Sequence, residues 1–197
     1  MIIDIYENTL SSQFCNHCIW KFERDNRKDQ GLIGDGNVRT DIKDSMDLHL
    51  SNWPDWQKED KIFYNTLKRY TEEHSKKYPF PSQDFESYFD TGYQIQRTKP
   101  ESVGYTWHHD FVVTREDTGA IAIRVLTYIW YLNTIDYGGY TEFANGESVK
   151  PEAGKLILFP ADWSHVHRGI PPTYKDKYIC TGWIYSCLLY TSDAADE

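Results

Sequence analysis

Long apolar runs, an excess of positive charge and a disulfide framework are all missing from this chain of 197 residues. No stretch approaches the roughly 20 apolar residues that a membrane-spanning helix needs. A formal charge of −9 argues against a nucleic-acid or anionic-membrane surface, both of which call for clustered Lys and Arg. The opening Met1-Ile2-Ile3-Asp4 has neither the basic stretch nor the apolar core of a secretory signal. These absences lead us to expect a cytoplasmic protein with no nucleic-acid or membrane partner. Cysteine is scarce too. Apart from Cys187 near the end, only Cys15, Cys18 and Cys180 occur, and an odd number without a secretion signal builds no disulfide framework. Cys15 and Cys18 have CxxC spacing, but no second pair exists and they fall in an amphipathic helical pattern, so buried helical thiols are expected.

Aromatic residues, by contrast, are abundant, with seven Trp and fifteen Tyr. The length suits one domain with a sizeable core. No repeat, low-complexity stretch or linker divides it, so we expect a single domain over 1–186, helical to about residue 80 and β-rich from about 88. The last eleven residues, 187–197 (CLLYTSDAADE), read like translation through a sequencing-library adapter and are set aside as an artefact. Such a scar points to an environmental microbial or viral source.

Ile2, Ile3 and Ile5 start a short strand. Ser11 or Ser12 can cap a helix running to about Asp25, with Phe14, Cys18, Ile19 and Phe22 on one face. Residues 29–52 are polar and glycine-bearing with little periodicity. They read as a loop containing Arg39, Lys43 and Asp44, either a lid over a substrate or a plain surface connection. A second helix starts near Trp53-Pro54 and continues to about Lys77, ended by Pro79 and Pro81. Both helices have one apolar face and should lie on a sheet. From Tyr88 onward short alternating segments with Gly and Pro punctuation predict eight or so strands, hence a sandwich or barrel. A double-stranded β-helix (jelly roll) with the helices buttressing one face fits that count.

Within these strands the run Trp107-His108-His109-Asp110 places an imidazole and a carboxylate two residues apart, on one face if the run is extended. A second imidazole from Trp163-Ser164-His165-Val166-His167-Arg168-Gly169 would complete a 2-His-1-carboxylate triad, the donor set suited to non-haem Fe(II) with positions left open. On a strand His165 and His167 point the same way, so parity does not choose between them. Arg168, next to His167, should face away from the site. Gly138-Gly139 is compatible with a simple hairpin turn.

From about residue 88 to 186 the chain resembles the prolyl 4-hydroxylase-like branch of the Fe(II)/2-oxoglutarate dioxygenases. The resemblance is carried by Tyr105-Thr106-Trp107-His108-His109-Asp110, Tyr131-Leu132-Asn133, Gly138-Gly139, and Gly154 to Pro160. His167-Arg168-Gly169, Lys177-Tyr178 and Gly182-Trp183-Ile184 close the match. It implies a metal site of His108, Asp110 and His167, because the distal ligand opens an H-[RG]-G segment with a basic residue ten positions on, here Lys177. His165 is then left beside the metal or at the mouth. Lys177 would meet the far carboxylate of 2-oxoglutarate, with Tyr131 and Thr141 lining the co-substrate pocket. Many relatives have a tyrosine ten residues before the first histidine; here that place is Thr98, with Gln96 or Tyr93 as compensation.

What the resemblance implies is an enzyme using Fe(II), 2-oxoglutarate and O2, with ascorbate as accessory. It would hydroxylate a C–H bond of a peptide (prolyl-like) or small-molecule substrate, releasing succinate and CO2. Asp110 favours hydroxylation, since related halogenases carry a small residue at that position. Two other classes stand against this reading. One is a non-catalytic jelly roll binding peptide or carbohydrate through Trp107, Trp163 and Tyr105. The other is a cupin-like metalloenzyme without 2-oxoglutarate.

Overall fold

A computed structural model describes residues 2–34, 36–78, 88–115 and 121–188. β1 (Asp4–Tyr6) leads into α1 (Ser12–Arg24). Ser11 caps the helix, its hydroxyl accepting from the Phe14 N–H at 3.2 Å, while Lys21 and Arg24 complement the dipole in the last turn. β2 (Asp29–Gln30) and β3 (Met46–His49) follow, paired antiparallel. The expectation of an irregular 29–52 segment is therefore corrected. Met46 and Leu48 turn toward the apolar side of the sheet while Asp47 is buried on the other, a period-two pattern too short to stand out. A 3-10 turn (Pro54–Trp56) starts the second helix, α2 (Gln57–Lys77), with proline at its first position as anticipated.

The remaining strands are β4 (Tyr88–Asp90), β5 (Gln94–Thr98), β6 (Tyr105–His108), β7 (Val113–Arg115) and β8 (Ile121–Tyr131). They continue as β9 (Thr141–Phe143), β10 (Ser148–Val149), β11 (Leu156–Pro160), β12 (His167–Gly169) and β13 (Lys177–Leu188). One nine-stranded sheet runs β1-β11-β8-β13-β5-β3-β2, with β4 on β13 and β7 on β8; a four-stranded sheet runs β10-β9-β12-β6. The fold is mainly β, a jelly roll buttressed by two helices. Residues 189–197 of the tail set aside above lie outside the described residues, while Cys187 and Leu188 pair with Ala122 and Ile121 at the end of β13.

Strict alternation along the central strands makes three layers out of two sheets. Tyr128 and Trp130 of β8, Leu156 and Leu158 of β11, Ile95 of β5 and Cys180 of β13 face the helices. There they meet Cys15, Cys18, Phe22, Phe63 and Leu67. Each fully buried Leu, Phe or Trp of this layer stabilises by about 1.5–3 kcal/mol. The opposite parity, Ile129, Tyr131, Ile157 and Phe159, meets Phe143 and Val149 between the sheets. Cys15, Cys18 and Cys180 are buried and free, and burial pushes each thiol up, that of Cys15 to about 11. Such thiols pack rather than react.

Three local details depart from the sequence reading. β6 stops at His108, so Asp110 lies beyond the strand rather than two residues along it. β12 begins at His167, so His165 is off the strand and the shared parity of the two imidazoles does not arise. Gly138 and Gly139, at φ +72° and +75°, carry the chain from the large sheet to the small one instead of closing a hairpin.

Candidate metal and co-substrate site

The backbone brings the two histidines together first. β12 pairs with β6 so that His167 lies opposite His108. Asp110 reaches the same point from the irregular segment after β6: its Oδ1 is 3.9 Å from His108 Nε2 and its Oδ2 is 3.7 Å from His167 Nε2. The three donor atoms all lie within 4.8 Å of one another, the one such group of three among the described residues.

Second contacts decide which ring nitrogens face the centre. His108 Nδ1 donates to the Thr106 carbonyl at 2.7 Å and His167 Nδ1 to the His165 carbonyl at 2.9 Å. A carbonyl only accepts, so both Nδ1 atoms carry the proton and both Nε2 lone pairs are turned inward, as metal ligation requires. Burial, reinforced by neighbouring His167, lowers the His108 pKa to about 4, so its ring is neutral at pH 7. Burial opposes the ionised form of Asp110, but the two imidazoles and the Thr127 hydroxyl, which donates to Oδ2 at 2.8 Å, outweigh it and hold the carboxyl below its usual range. Two imidazoles and one carboxylate, aimed at a common point, fit a divalent cation.

Deeper in the same cavity, between the sheets, stands Lys177 at the start of β13. It is buried, and its Nζ donates to the carbonyls of Gly139 and Ile170, each at 3.2 Å. Among the described residues no carboxylate pairs with it. Burial lowers its pKa to about 8. A buried ammonium without an anion is costly, so the cavity is preorganised for an anionic ligand. Thr141 and Gln96 line the cavity, while Tyr131 stands behind Thr141 and donates to its hydroxyl at 2.7 Å.

Other expectations resolve plainly. Tyr93 lies just before β5, in the helix-side core, with its hydroxyl on Asp90, so it does not replace the tyrosine missing at Thr98. Gln96 does face the cavity, though its amide nitrogen is engaged by Gln94 at 2.6 Å. His165 is buried and bonds Asp162 through Nδ1 at 2.8 Å, and it touches the centre only through the carbonyl that orients His167. Arg168 faces outward as anticipated, bonded to Glu142 and stacked on Trp107 at 4.6 Å. Trp107 and Trp163 are exposed. The sequence reading did not foresee that Thr127, Trp183 and Ser45 also line the cavity, nor that Lys43, read as part of a lid or of a plain connection, lines it where it bridges Tyr105. The alternation Lys43, Ser45, Asp47 was the available signal, hidden in a segment read as loop.

A jelly roll that brings a His-Asp-His donor set and a buried lysine into one cavity has the residue types of a mononuclear non-haem metal site beside an anion pocket. Residues 93–185 match the family model of the 2OG-Fe(II) oxygenase superfamily, and a prolyl 4-hydroxylase is among the similar curated proteins. Prolyl 4-hydroxylase 13 of Arabidopsis thaliana is 28% identical over 128 residues, covering 53% of this chain and 44% of the relative, so the chain spans less than half the length of that protein. In structure, the viral collagen prolyl hydroxylase of Paramecium Bursaria Chlorella virus-1, solved with 2-oxoglutarate, superposes with a TM-score of 0.65 at 19% identity, covering 94% of this chain and 96% of that one. A Trichoplax adhaerens prolyl hydroxylase solved with a hypoxia inducible factor peptide gives a TM-score of 0.70 at 16% identity, covering 93% and 83%. Among the described residues no helix is long and apolar enough to cross a membrane.

Proposed function

We propose that this chain is an Fe(II)- and 2-oxoglutarate-dependent hydroxylase. The reading rests on one observation above all: the inward-facing Nε2 atoms of His108 and His167 share a centre with Asp110, above an ammonium that no carboxylate neutralises among the described residues. His108, Asp110 and His167 would hold the ferrous ion. Lys177 would take the far carboxylate of 2-oxoglutarate, with the Thr141 hydroxyl, itself held from behind by Tyr131, as a hydrogen-bonding partner and Gln96 on the cavity wall. When bound, iron and 2-oxoglutarate supply the oxidising chemistry: one atom of O2 is placed on a substrate C–H as C–OH and the other enters succinate, with loss of CO2.

The chain's own part is to bind, orient and exclude water. The Thr106 and His165 carbonyls keep both imidazoles in the ligating tautomer, and Thr127 holds the Asp110 carboxylate in place. The ammonium of Lys177 and the formal 1+ of a ferrous ion with one carboxylate balance the two negative charges of 2-oxoglutarate. The loaded cavity is then neutral, and the group presented for hydroxylation has no charge to pair with there. The prolyl hydroxylases similar to this chain, one solved on a peptide, support a peptide substrate over a free metabolite. The overall acidity of the chain suits a neutral or basic segment.

The test is succinate release from 2-oxoglutarate by anaerobically iron-loaded protein, against Asp110→Ala and His167→Ala. Release by the parent protein and its loss in both variants is expected; equal release from all three ends the proposal.

A further inference from the structure

Among the cavity-lining residues the proposed chemistry leaves Lys43 unused, and Lys43 lies about fifty residues upstream of the family match. It is buried, and its Nζ donates to Asp47 Oδ2 at 2.6 Å and to the Leu32 carbonyl at 3.3 Å. Ser45 donates to the other oxygen of Asp47 at 2.7 Å. The chain packs against this pair at Gly31, where a Cβ would come within 2.4 Å of Ser45 Oγ and 3.0 Å of Asp47 Oδ2. A buried ion pair costs desolvation that an apolar pair avoids, so stability alone does not account for it.

What the pair provides is a charge over an aromatic face. Lys43 Nζ stands 5.6 Å from the centroid of the Tyr105 ring, and that ring stacks on the His108 imidazole at 3.5 Å between centroids and 14° between planes. The backbone around Lys43 holds the same neighbours. Lys43 bridges Tyr105, the Asp44 N–H donates to the Gly104 carbonyl at 2.8 Å, and the Thr106 N–H donates to the Ile42 carbonyl at 2.9 Å. Thr106 is the residue whose carbonyl takes the His108 Nδ1 proton. Both restraints on the His108 ring, the stacked tyrosine and the accepting carbonyl, are thus anchored by residues 42–45.

We infer that Lys43 is a positioning residue for the metal site, fixing the plane of the His108 ring through Tyr105. The inference rests on the proposal that His108 is a metal ligand. Its sign separates it from simple electrostatics. Replacing Lys43 by methionine removes a cation and strands the Asp47 anion beside a dication, which through space would tighten metal binding. Loss of ring positioning weakens it.

The experiment is anaerobic Co(II) titration of the full chain, read by calorimetry and by the visible absorption of the bound ion. Lys43→Met, and Lys43→Met with Asp47→Leu, should each weaken Co(II) binding about tenfold and alter the absorption envelope, a loss typical of residues that orient a ligand. Tyr105→Phe, which keeps the stack, should bind like the parent, whereas Tyr105→Leu should not. Lys43→Met added to Tyr105→Leu should cost nothing more. Tighter or unchanged binding in both Lys43 variants, or an additive loss on the Tyr105→Leu background, overturns the inference. Should Lys43→Met fail to fold by circular dichroism, the double variant and the Tyr105 pair decide. Failure of the parent chain to bind Co(II), or parent-like binding by His108→Ala, refutes the metal site itself and is distinguishable from failure at Lys43 alone.

Discussion

Replacing Lys177 tests the anion pocket through two opposed effects. Burial lowers the Lys177 pKa from 10.5 to about 8, so holding the ammonium protonated in the empty protein at pH 7 costs on the order of 3 kcal/mol. That cost is fully present below pH 8 and is relieved as pH rises from 8 toward the unfolded value. Lys177→Met should therefore raise the stability of the ligand-free protein at pH 7 by a sizeable part of that figure, with the gain shrinking above pH 8. For 2-oxoglutarate the sign reverses. Leaving a buried carboxylate without its cation costs about 2–5 kcal/mol, so KM should rise roughly thirtyfold to several thousandfold, with metal affinity little changed. In the parent protein the co-substrate selects the protonated lysine, so its affinity should be flat from pH 6.5 to 8 and fall about tenfold per pH unit above. Denaturant unfolding and calorimetric 2-oxoglutarate titration across this range measure both. A co-substrate affinity unaffected by Lys177→Met, or level to pH 9.5, refutes the reasoning.

Gly104 adopts φ +68°, and a Cβ there would lie 2.1 Å from the Gly169 carbonyl oxygen, between β6 and β12. Gly104→Ala should lower stability by about 1–3 kcal/mol and loosen metal binding, both measurable by urea unfolding and Co(II) titration. Arg27, bonded to both carboxylate oxygens, holds the Asp25 carboxyl far below its usual range against the opposing effect of burial, with the Trp56 indole adding a further bond. Its contribution is present above the unfolded carboxyl pKa and is lost as pH falls through the lower folded value, so Asp25→Asn should flatten the acid limb of a stability–pH curve below pH 4. Cys15, Cys18 and Cys180, buried with raised pKa values, should resist alkylation in the native state and react only after unfolding, read by peptide mass spectrometry.

Alternation and punctuation made the sandwich and both helices legible, because Tyr128 to Tyr131 and Leu156 to Phe159 must each serve two layers with opposite parity. The choice of His167 over His165 came from family spacing, not from strand geometry, since His165 is not on the strand. Period-two reasoning reached Asp110 by a wrong route. The carboxylate arrives from the irregular segment beyond the strand, and Thr127, distant in sequence, holds it there. Residues 42–49 stayed hidden because four strand residues give two turns of alternation, too few to separate from a polar loop. Their partners Tyr105 and Gln96 are set by tertiary pairing alone.

The central claim is that three side chains converge on a single ferrous ion. Anaerobic Fe(II) titration of the parent chain, His108→Ala, Asp110→Ala and His167→Ala tests it most directly. One tightly bound ion per parent chain, with affinity lost in each variant, is the predicted result; the same stoichiometry and affinity in all four proteins would contradict it.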